Sequence, residues 1–243
     1  MNKKILFIGD IHGQDGWREI VADALPKFYP IVFLGDYVDS FTVRAAEQMF
    51  NLKEIIALKE KYPDRITLLL GNHDWAYIYD CTSISGFQWQ QWQTFKKLFN
   101  DNIELFDVAW GYENWQTKKY TLATHAGIVY NWYQYNIVPM LKDENSKLYK
   151  LTEGKDVPLH TMLNYLKGNN VLWKIGPARR GTSHPGPLWA DYQELIGDAY
   201  PGINQVVGHT ASGTVYVDQF GDDLIAKVDG WYNKKLAHLV IGL

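Results

Sequence analysis

Short apolar runs alternate with segments of helical periodicity through the first third of the chain. Three continuous apolar runs have the length and the Gly-led endings of strands that are buried on both faces: residues 5–8, 31–34 and 66–70. Between them the spacing predicts helices over residues 17–28 and 43–62, each closed by a following proline. Alternation of strand and helix predicts a parallel sheet with helical crossovers.

The rest of the chain is less regular. The pattern predicts a helix over residues 88–99 and a strand over 120–124, and the last 40 or so residues contain four further strand candidates: 205–207, 214–217, 224–228 and 236–241. Turns such as Gly221-Asp222 favour antiparallel pairing there. Residues 130–200 are rich in Trp, Tyr, Gly and Pro and predict an insertion or cap. Without a linker or repeat, residues 1–243 are expected to form a single domain with that cap.

Composition excludes several classes of protein. A chain of 243 residues with 47% hydrophobic and 21% charged residues is neither disordered nor fibrous. Its 24 basic and 27 acidic side chains give a net charge of −3, which argues against dedicated nucleic-acid binding. The single cysteine, Cys81, favours a reducing compartment, and no apolar stretch resembles a signal peptide or a membrane span. We therefore expect a cytoplasmic protein with no membrane partner.

Loops with similar side chains follow the three apolar runs. Their sequences are Gly9-Asp10-Ile11-His12-Gly13, Gly35-Asp36-Tyr37-Val38-Asp39 and Gly71-Asn72-His73-Asp74. Because the carboxyl ends of parallel strands lie along one sheet edge, these loops are predicted to converge in one crevice. Two later apolar segments end in His125-Ala126-Gly127 and Gly208-His209-Thr210. Oxygen and imidazole donors without thiolate suit Mn²⁺, Fe or Zn²⁺, and a shared carboxylate can bridge two ions for attack on phosphorus.

These five blocks resemble those of the calcineurin-like metallophosphoesterases, and they span the chain from residue 9 to residue 210. Within these blocks, Gly13 and Asp39 resemble the pattern of the phosphoprotein phosphatase branch. That branch includes bacterial and phage serine/threonine phosphatases and symmetrical diadenosine tetraphosphate hydrolases. The resemblance implies an α/β fold, a β-sandwich of two mixed sheets flanked by helices in four layers, α/β/β/α. It also implies two divalent ions, with Mn²⁺ as the first choice and Fe or Zn²⁺ as alternatives.

The resemblance also assigns roles to individual residues. Asp10 and His12 would hold the first ion and Asp36 would bridge both; the remaining ligands would be Asn72, His125 and His209. His73 would be the general acid that protonates the leaving group, oriented by Asp39. The metal ions would lower the pKa of a shared water, giving hydroxide near neutral pH.

One position departs from the branch. The phosphatases usually have arginine directly after the second aspartate, where it binds phosphate, but here the residue is Ser40. Arg44 lies about one helical turn further on. Arg179 and Arg180 precede a segment, residues 188–191, that resembles the Leu-Trp-x-Asp segment of these phosphatases. We therefore take Arg179, Arg180 and Arg44 as candidate substrate-binding residues.

The predicted function is hydrolysis of phosphomonoesters by a dinuclear-metal phosphoesterase of the serine/threonine protein phosphatase type. Aromatic side chains outside the core, such as Trp89 and Trp132, can stack on a nucleobase, although they more often pack a cap or an interface. One alternative is therefore hydrolysis of diadenosine tetraphosphate or another dinucleoside polyphosphate. Another, from a different class, is a metal-binding scaffold without catalysis. His160, His184 and His238 are expected to be structural or surface residues.

Overall fold

Two five-stranded sheets organise the residues that this computed structural model describes, 4–81, 84–229 and 236–242. Each sheet lies in its own unit of the chain. The first unit comprises Met1–Asp107, Ala211–Val215 and Val228–Leu243, and the second comprises Val108–Thr210 and Tyr216–Lys227. Both sheets are mixed and helices accompany each, so the α/β class with two mixed sheets is confirmed. The single domain with a cap stays a prediction.

The described strands are, in chain order, β1 Lys4–Ile8, β2 Ile31–Phe33, β3 Ile66–Leu69, β4 Phe106–Asp107, β5 Ala109–Glu113, β6 Tyr120–Thr124, β7 Ile203–Val207, β8 Tyr216–Phe220, β9 Asp223–Lys227 and β10 His238–Gly242. The α-helices are α1 Trp17–Ala24, α2 Ala45–Lys61, α3 Asn72–Ile78, α4 Trp92–Asp101, α5 Tyr130–Trp132, α6 Val138–Lys142, α7 Lys147–Thr152, α8 Leu159–Tyr165 and α9 Tyr192–Gly197. Within the described ranges, no helix combines the length and apolar character needed to cross a membrane.

The sheet of the first unit has the order β10-β1-β2-β3-β4. β1 to β4 are parallel, as the strand–helix alternation predicts, and β10 adds to β1 in the antiparallel sense. The first three strands are almost wholly buried, which explains their continuous apolar sequences. Their carboxyl ends carry the three Gly-led loops.

The predicted helices of this unit are present with shifted ends. The helix expected to reach Phe28 ends at Ala24 and continues as a 3₁₀ turn, Leu25–Lys27, because Pro26 has no backbone N–H to extend the α-helical ladder. The helix predicted over 43–62 is α2. The helix predicted from residue 88 opens as a 3₁₀ turn, Trp89–Gln91, before α4. A further 3₁₀ turn, Ile103–Leu105, leads into β4.

The sheet of the second unit has the order β5-β6-β7-β9-β8. The expectation of antiparallel pairing holds for β8 and β9, which are joined through Gly221-Asp222. It is wrong for β7, which is parallel to both β6 and β9. The last three residues of β7 are buried, the character of a central parallel strand rather than of a hairpin arm. β10 pairs in the other sheet, so the four C-terminal strand candidates do not form one antiparallel set.

Residues 130–200 are built from the short helices α5 to α9, a π-helical segment, Tyr133–Ile137, and two 3₁₀ turns, Asn170–Trp173 and Pro177–Arg179. Trp132 is fully buried and donates from Nε1 to the carbonyl of Val171 at 3.0 Å. This tryptophan therefore packs inside the second unit.

Candidate active site

Three of the predicted site residues in the first unit have left-handed backbone conformations. The φ angles are 42° for His12, 52° for Asp36 and 67° for Asp39. Residues other than glycine seldom adopt this region, although Asn, Asp and His do so more often than the rest, and such conformations cluster at functional sites. The loops after β1 and β2 hold one another, because the backbone N–H groups of Ile11 and His12 both donate to the carbonyl of Asp36, at 3.1 and 2.7 Å.

A backbone hydrogen bond orients the imidazole of His12. Nδ1 lies 2.7 Å from the carbonyl of Val38, so Nδ1 carries the proton and Nε2 is the basic nitrogen. That Nε2 lies 3.7 Å from Oδ2 of Asp36 and 4.0 Å from Oδ2 of Asp10. Burial lowers the pKa of His12 against the opposing effect of Asp36, which favours the neutral, ligating form of the ring.

The first unit brings together a donor set that suits a divalent cation. Donor atoms of His12, Asp36 and His73 all lie within 4.8 Å of one another. Asp10 and Asn72, predicted as ligands, are 5% and 2% exposed. Buried carboxylates and imidazoles in this density are costly unless they are paired or coordinate a cation. The side chains present therefore fit the divalent metal that the sequence predicts.

His73 lies between two aspartates. Its Nδ1 is 2.8 Å from Oδ2 of Asp39, and its backbone N–H donates to Oδ1 of Asp36 at 2.9 Å. Burial lowers the pKa of the imidazole, but Asp36 and the hydrogen-bonded Asp39 outweigh it and leave that pKa above its ordinary value. The predicted pairing of His73 with Asp39 is therefore present, and the ring is suited to carry a proton.

Asp74 positions the loops, a role that the sequence reading did not assign. Its side chain is fully buried, and Oδ2 accepts hydrogen bonds from the backbone N–H groups of Asp36 and Gly71, at 2.8 and 2.9 Å. Oδ1 accepts from the N–H of Tyr37 at 2.9 Å. One carboxylate thus ties the loop after β2 to the start of α3. The signal available in the sequence was an acidic residue three positions after a helix-starting glycine, the spacing of a capping box.

The second unit brings together the other two predicted histidine ligands. His125 follows β6 and His209 follows β7, two parallel neighbours with Ala123 opposite Val206. Nε2 of His125 lies 3.2 Å from Nδ1 of His209, and the N–H of Gly208 donates to the carbonyl of His125 at 2.8 Å. His125 is fully buried, and His209 is left-handed with φ 65°. Two imidazoles at this separation can serve one cation.

Comparison with known proteins points to the same family as the sequences of these loops. The sequence model of the calcineurin-like phosphoesterase family matches residues 3–233. The chain belongs to this family.

Proteins similar to the chain include named phosphatases. A Schizosaccharomyces pombe protein, assigned by name to the serine/threonine-protein phosphatases, is 43% identical over 76 residues; the match covers 30% of this chain and 24% of that protein. The chain thus spans about a quarter of that relative. Among solved structures, a protein serine/threonine phosphatase of Saccharomyces cerevisiae has a TM-score of 0.52 at 14% identity, covering 100% of this chain and 80% of that one. A cold-active protein-tyrosine phosphatase of a Shewanella species has 0.51 at 16%, covering 93% and 71%. At such identities the structures support the fold alone.

Ser40, at the position where the phosphoprotein phosphatases usually have arginine, forms hydrogen bonds within its own loop. Ser40 is 3% exposed, and its Oγ accepts from the N–H groups of Thr42 and Val43, at 3.2 and 3.1 Å. Arg44 directly precedes α2, and its side chain is 84% exposed and paired to Glu47. Its guanidinium is therefore engaged at the surface.

The remaining two arginine candidates differ from each other. Arg179 contacts Oδ2 of Asp191 at 3.0 Å and lies 3.5 Å from Oγ1 of Thr210, the residue after His209. Its buried Nε has no hydrogen-bond partner among the described residues. Arg180 is exposed and ends the 3₁₀ turn in a left-handed conformation. Within the second unit, Arg179 is therefore the arginine that neighbours a predicted ligand loop.

The other histidines are in structural or surface positions, as expected. Nδ1 of His160 lies 2.7 Å from the hydroxyl oxygen of Tyr120. The exposed ring of His184 stacks on Tyr135 with centroids 5.0 Å apart. His238 is exposed on β10.

Proposed function

We propose that this protein is a metal-dependent phosphoesterase that hydrolyses phosphomonoesters, with phosphoserine or phosphothreonine in proteins as its substrate class. The observation that carries the proposal is the cluster of His12, Asp36 and His73, with donor atoms within 4.8 Å, together with the 2.8 Å contact from Asp39 to His73. In this proposal His12 and Asp36 of the cluster bind the cation, and His73, held by Asp39, is the proton donor.

We assign the ligands on the chemistry of the donors and the family's pattern. They are Asp10, His12, Asp36 and Asn72 of the first unit and His125 and His209 of the second. When bound, two divalent ions, with Mn²⁺ as our first choice, would acidify a water and neutralise charge on the phosphate.

His73 would protonate the oxygen of the leaving group. A serine or threonine alkoxide is a poor leaving group, so a positioned acid accelerates its departure. Asp39 accepts from Nδ1 and so leaves Nε2 as the atom that delivers the proton. Asp36 fixes the backbone of His73 through Oδ1, which keeps the ring beside the ligands.

The phosphoprotein substrate class rests on the named relatives. The S. pombe relative is assigned by name to the serine/threonine-protein phosphatases, and its 43% identity supports the same class here. Dinucleoside polyphosphate hydrolysis and a metal-binding scaffold without catalysis are the competing readings. Neither explains the held pair of His73 and Asp39 better than a phosphomonoesterase does.

A substrate panel decides among these readings. Purified protein with added Mn²⁺ is assayed on phosphoserine and phosphothreonine peptides, diadenosine tetraphosphate, cyclic nucleotides and 4-nitrophenyl phosphate. We expect the highest kcat/KM on the phosphopeptides and loss of activity with a chelator. A preference for diadenosine tetraphosphate would support the dinucleoside polyphosphate hydrolase hypothesis instead. Mn²⁺ binding without turnover of any substrate would support the hypothesis of a metal-binding scaffold without catalysis.

The role of His73 has a separate test. His73→Asn is expected to lower kcat on a phosphoserine peptide by about 10²- to 10⁴-fold. The loss on 4-nitrophenyl phosphate should be far smaller, because nitrophenolate leaves without a proton. Equal losses on both substrates would show that His73 positions substrate or metal instead.

A further inference from the structure

Tyr77 lies one helical turn after His73 on α3, and both side chains reach the same carboxylate. Residues four apart share a helix face. Asp39 is 1% exposed and bonds both of them: Oδ2 lies 2.8 Å from Nδ1 of His73, and Oδ1 accepts from the hydroxyl of Tyr77. Asp39 is thus held at both oxygens.

The direction of the tyrosine hydrogen bond is fixed by its other partner. The backbone N–H of Gln88 points at the hydroxyl oxygen of Tyr77 at 2.8 Å and can only donate. The hydroxyl proton is therefore directed to Asp39. Burial, followed by the charge of Asp39, raises the pKa of Tyr77 well above its ordinary value, which keeps that proton on the tyrosine.

The ring of Tyr77 is packed so that its hydroxyl has little freedom. It is fully buried and stacks on Phe87, with centroids 4.3 Å apart and planes at 13°. Phe95 and Phe99 flank it at 5.3 and 6.3 Å. A phenylalanine at this position would keep all of these contacts and remove only the hydroxyl.

We propose that Tyr77 is a positioning residue for proton transfer: its hydroxyl anchors Oδ1 of Asp39, so that Oδ2 holds the His73 ring in the orientation from which Nε2 reaches the leaving group. This inference rests on the proposed general-acid role of His73. Without the hydroxyl, the carboxylate can turn about its Cβ–Cγ bond, and a buried carboxylate oxygen loses its donor. The proton donor is then misplaced although every metal ligand remains.

The test compares Tyr77→Phe with Tyr37→Phe in the Mn²⁺-loaded protein. Tyr37 is a matched control, because it is equally buried in the same unit and its hydroxyl donates to the carbonyl of Leu69 at 3.0 Å, away from Asp39. We expect Tyr77→Phe to lower kcat on a phosphoserine peptide by roughly 10-fold or more, the loss of one bond to a charged group. On 4-nitrophenyl phosphate the change should be under about 2-fold, because no leaving-group proton is needed. Tyr37→Phe should not distinguish the two substrates.

A double variant asks whether Tyr77 acts through His73. In the His73→Asn background, adding Tyr77→Phe should cost no further rate on the phosphopeptide, because the group it positions is absent. Additive losses would overturn the proposal, as would equal losses of Tyr77→Phe on both substrates. If His73→Asn loses more rate on the phosphopeptide than on 4-nitrophenyl phosphate and Tyr77→Phe does not, only the proposed role of Tyr77 is contradicted. If His73→Asn itself shows none, the general-acid role fails first.

A spectroscopic measurement supplies a readout that does not depend on turnover. It is made with diamagnetic Zn²⁺ in place of Mn²⁺, because paramagnetic Mn²⁺ broadens the resonances of nearby protons. The proton on Nδ1 of His73 should give a downfield NMR resonance that His73→Asn abolishes. Tyr77→Phe should shift that resonance while Tyr37→Phe leaves it in place. Unchanged shifts in a Tyr77→Phe protein with wild-type melting temperature would overturn the proposal.

Discussion

Nε2 of His125 lies 3.2 Å from Nδ1 of His209, so two neighbouring parallel strands of the second sheet place two imidazoles at one point. Protonation of both rings at this separation would be repulsive, whereas both can donate lone pairs to a cation. The pair is built by backbone geometry: the N–H of Gly208 bonds the carbonyl of His125, and His209 takes a left-handed conformation. This arrangement leads to a direct prediction about metal content.

Substitution of either histidine should remove metal. We expect His125→Asn and His209→Asn each to lower bound Mn²⁺ below the two ions per chain that we propose for the wild type. Each should also weaken Mn²⁺ affinity by more than the roughly 10- to 100-fold that loss of an outer hydrogen-bond partner costs. Elemental analysis and Mn²⁺ titration of activity measure both. His184→Asn, a change to an exposed histidine that stacks on Tyr135, is the control. Retention of full metal content in both variants would contradict the assignment.

Among the carboxylates of the site, Asp36 should be the one whose substitution reduces metal content and activity most. Its Oδ1 accepts from the backbone of His73, whereas Oδ2 lies 3.7 Å from Nε2 of His12. Asp36→Asn can keep the first bond but places an uncharged amide among the donors, so it should reduce metal content and activity more than any other single ligand change. Asp101→Asn, at a surface pair with Lys97, controls for charge alone. A metal-replete Asp36→Asn protein would contradict the bridging role.

The loops of the site could be predicted from the sequence because they depend on one general property of parallel sheets. Each of residues 9–13, 35–39 and 71–74 follows a buried apolar run, and strand ends of that type share an edge. The pairing of His73 with Asp39 followed from the family resemblance and is observed.

The partners of these loops could not be predicted, because they depend on tertiary contacts. In the sequence, Tyr77 is one of several aromatic residues of an apolar helix, and nothing distinguishes it from the others. Its hydrogen bond to Asp39 joins positions 38 residues apart. The parallel pairing of β7 likewise depends on which strands lie beside it, which a local pattern of Gly and Asp turns does not specify. β5 was missed because Gly111 interrupts its pattern.

The stability of the fold should fall on the acid side of neutrality, partly through His160. The backbone N–H of His160 donates to the hydroxyl oxygen of Tyr120, and Nδ1 of the half-buried ring lies 2.7 Å from that oxygen. Burial lowers the pKa of His160 below its ordinary value of 6.5. The unfolded chain therefore binds the proton more readily, and this contribution is complete above pH 6.5 and declines as pH falls below it.

The measurement is urea unfolding of wild type and His160→Gln at pH 7.5 and pH 5.5. The variant, which has no titrating group there, should lose less unfolding free energy between the two pH values than the wild type does. His238→Gln, on the exposed face of β10, should follow the wild type. Parallel pH dependence in wild type and His160→Gln would contradict the prediction.

Arg179 is the arginine expected to bind phosphate in place of the one missing at Ser40. Its contacts with Asp191 and Thr210 orient the guanidinium beside the loop of His209, whereas Arg44 and Arg180 are exposed. A guanidinium–phosphate contact is a charge-assisted pair worth about 1.5–3 kcal/mol, so Arg179→Ala should lower kcat/KM by about 10- to 150-fold at unchanged metal content.

Arg179→Lys separates charge from geometry in this prediction. Lysine keeps the positive charge but cannot form the paired N–H contacts of guanidinium, so it should restore only part of the loss. Arg180→Ala, one residue away in the same loop, and Arg44→Ala should stay within about 2-fold of wild type, since exposed charges contribute little. If Arg179→Ala keeps wild-type kcat/KM on the best substrate, Arg179 does not bind phosphate. A loss in Arg180→Ala instead would assign the phosphate contact to Arg180.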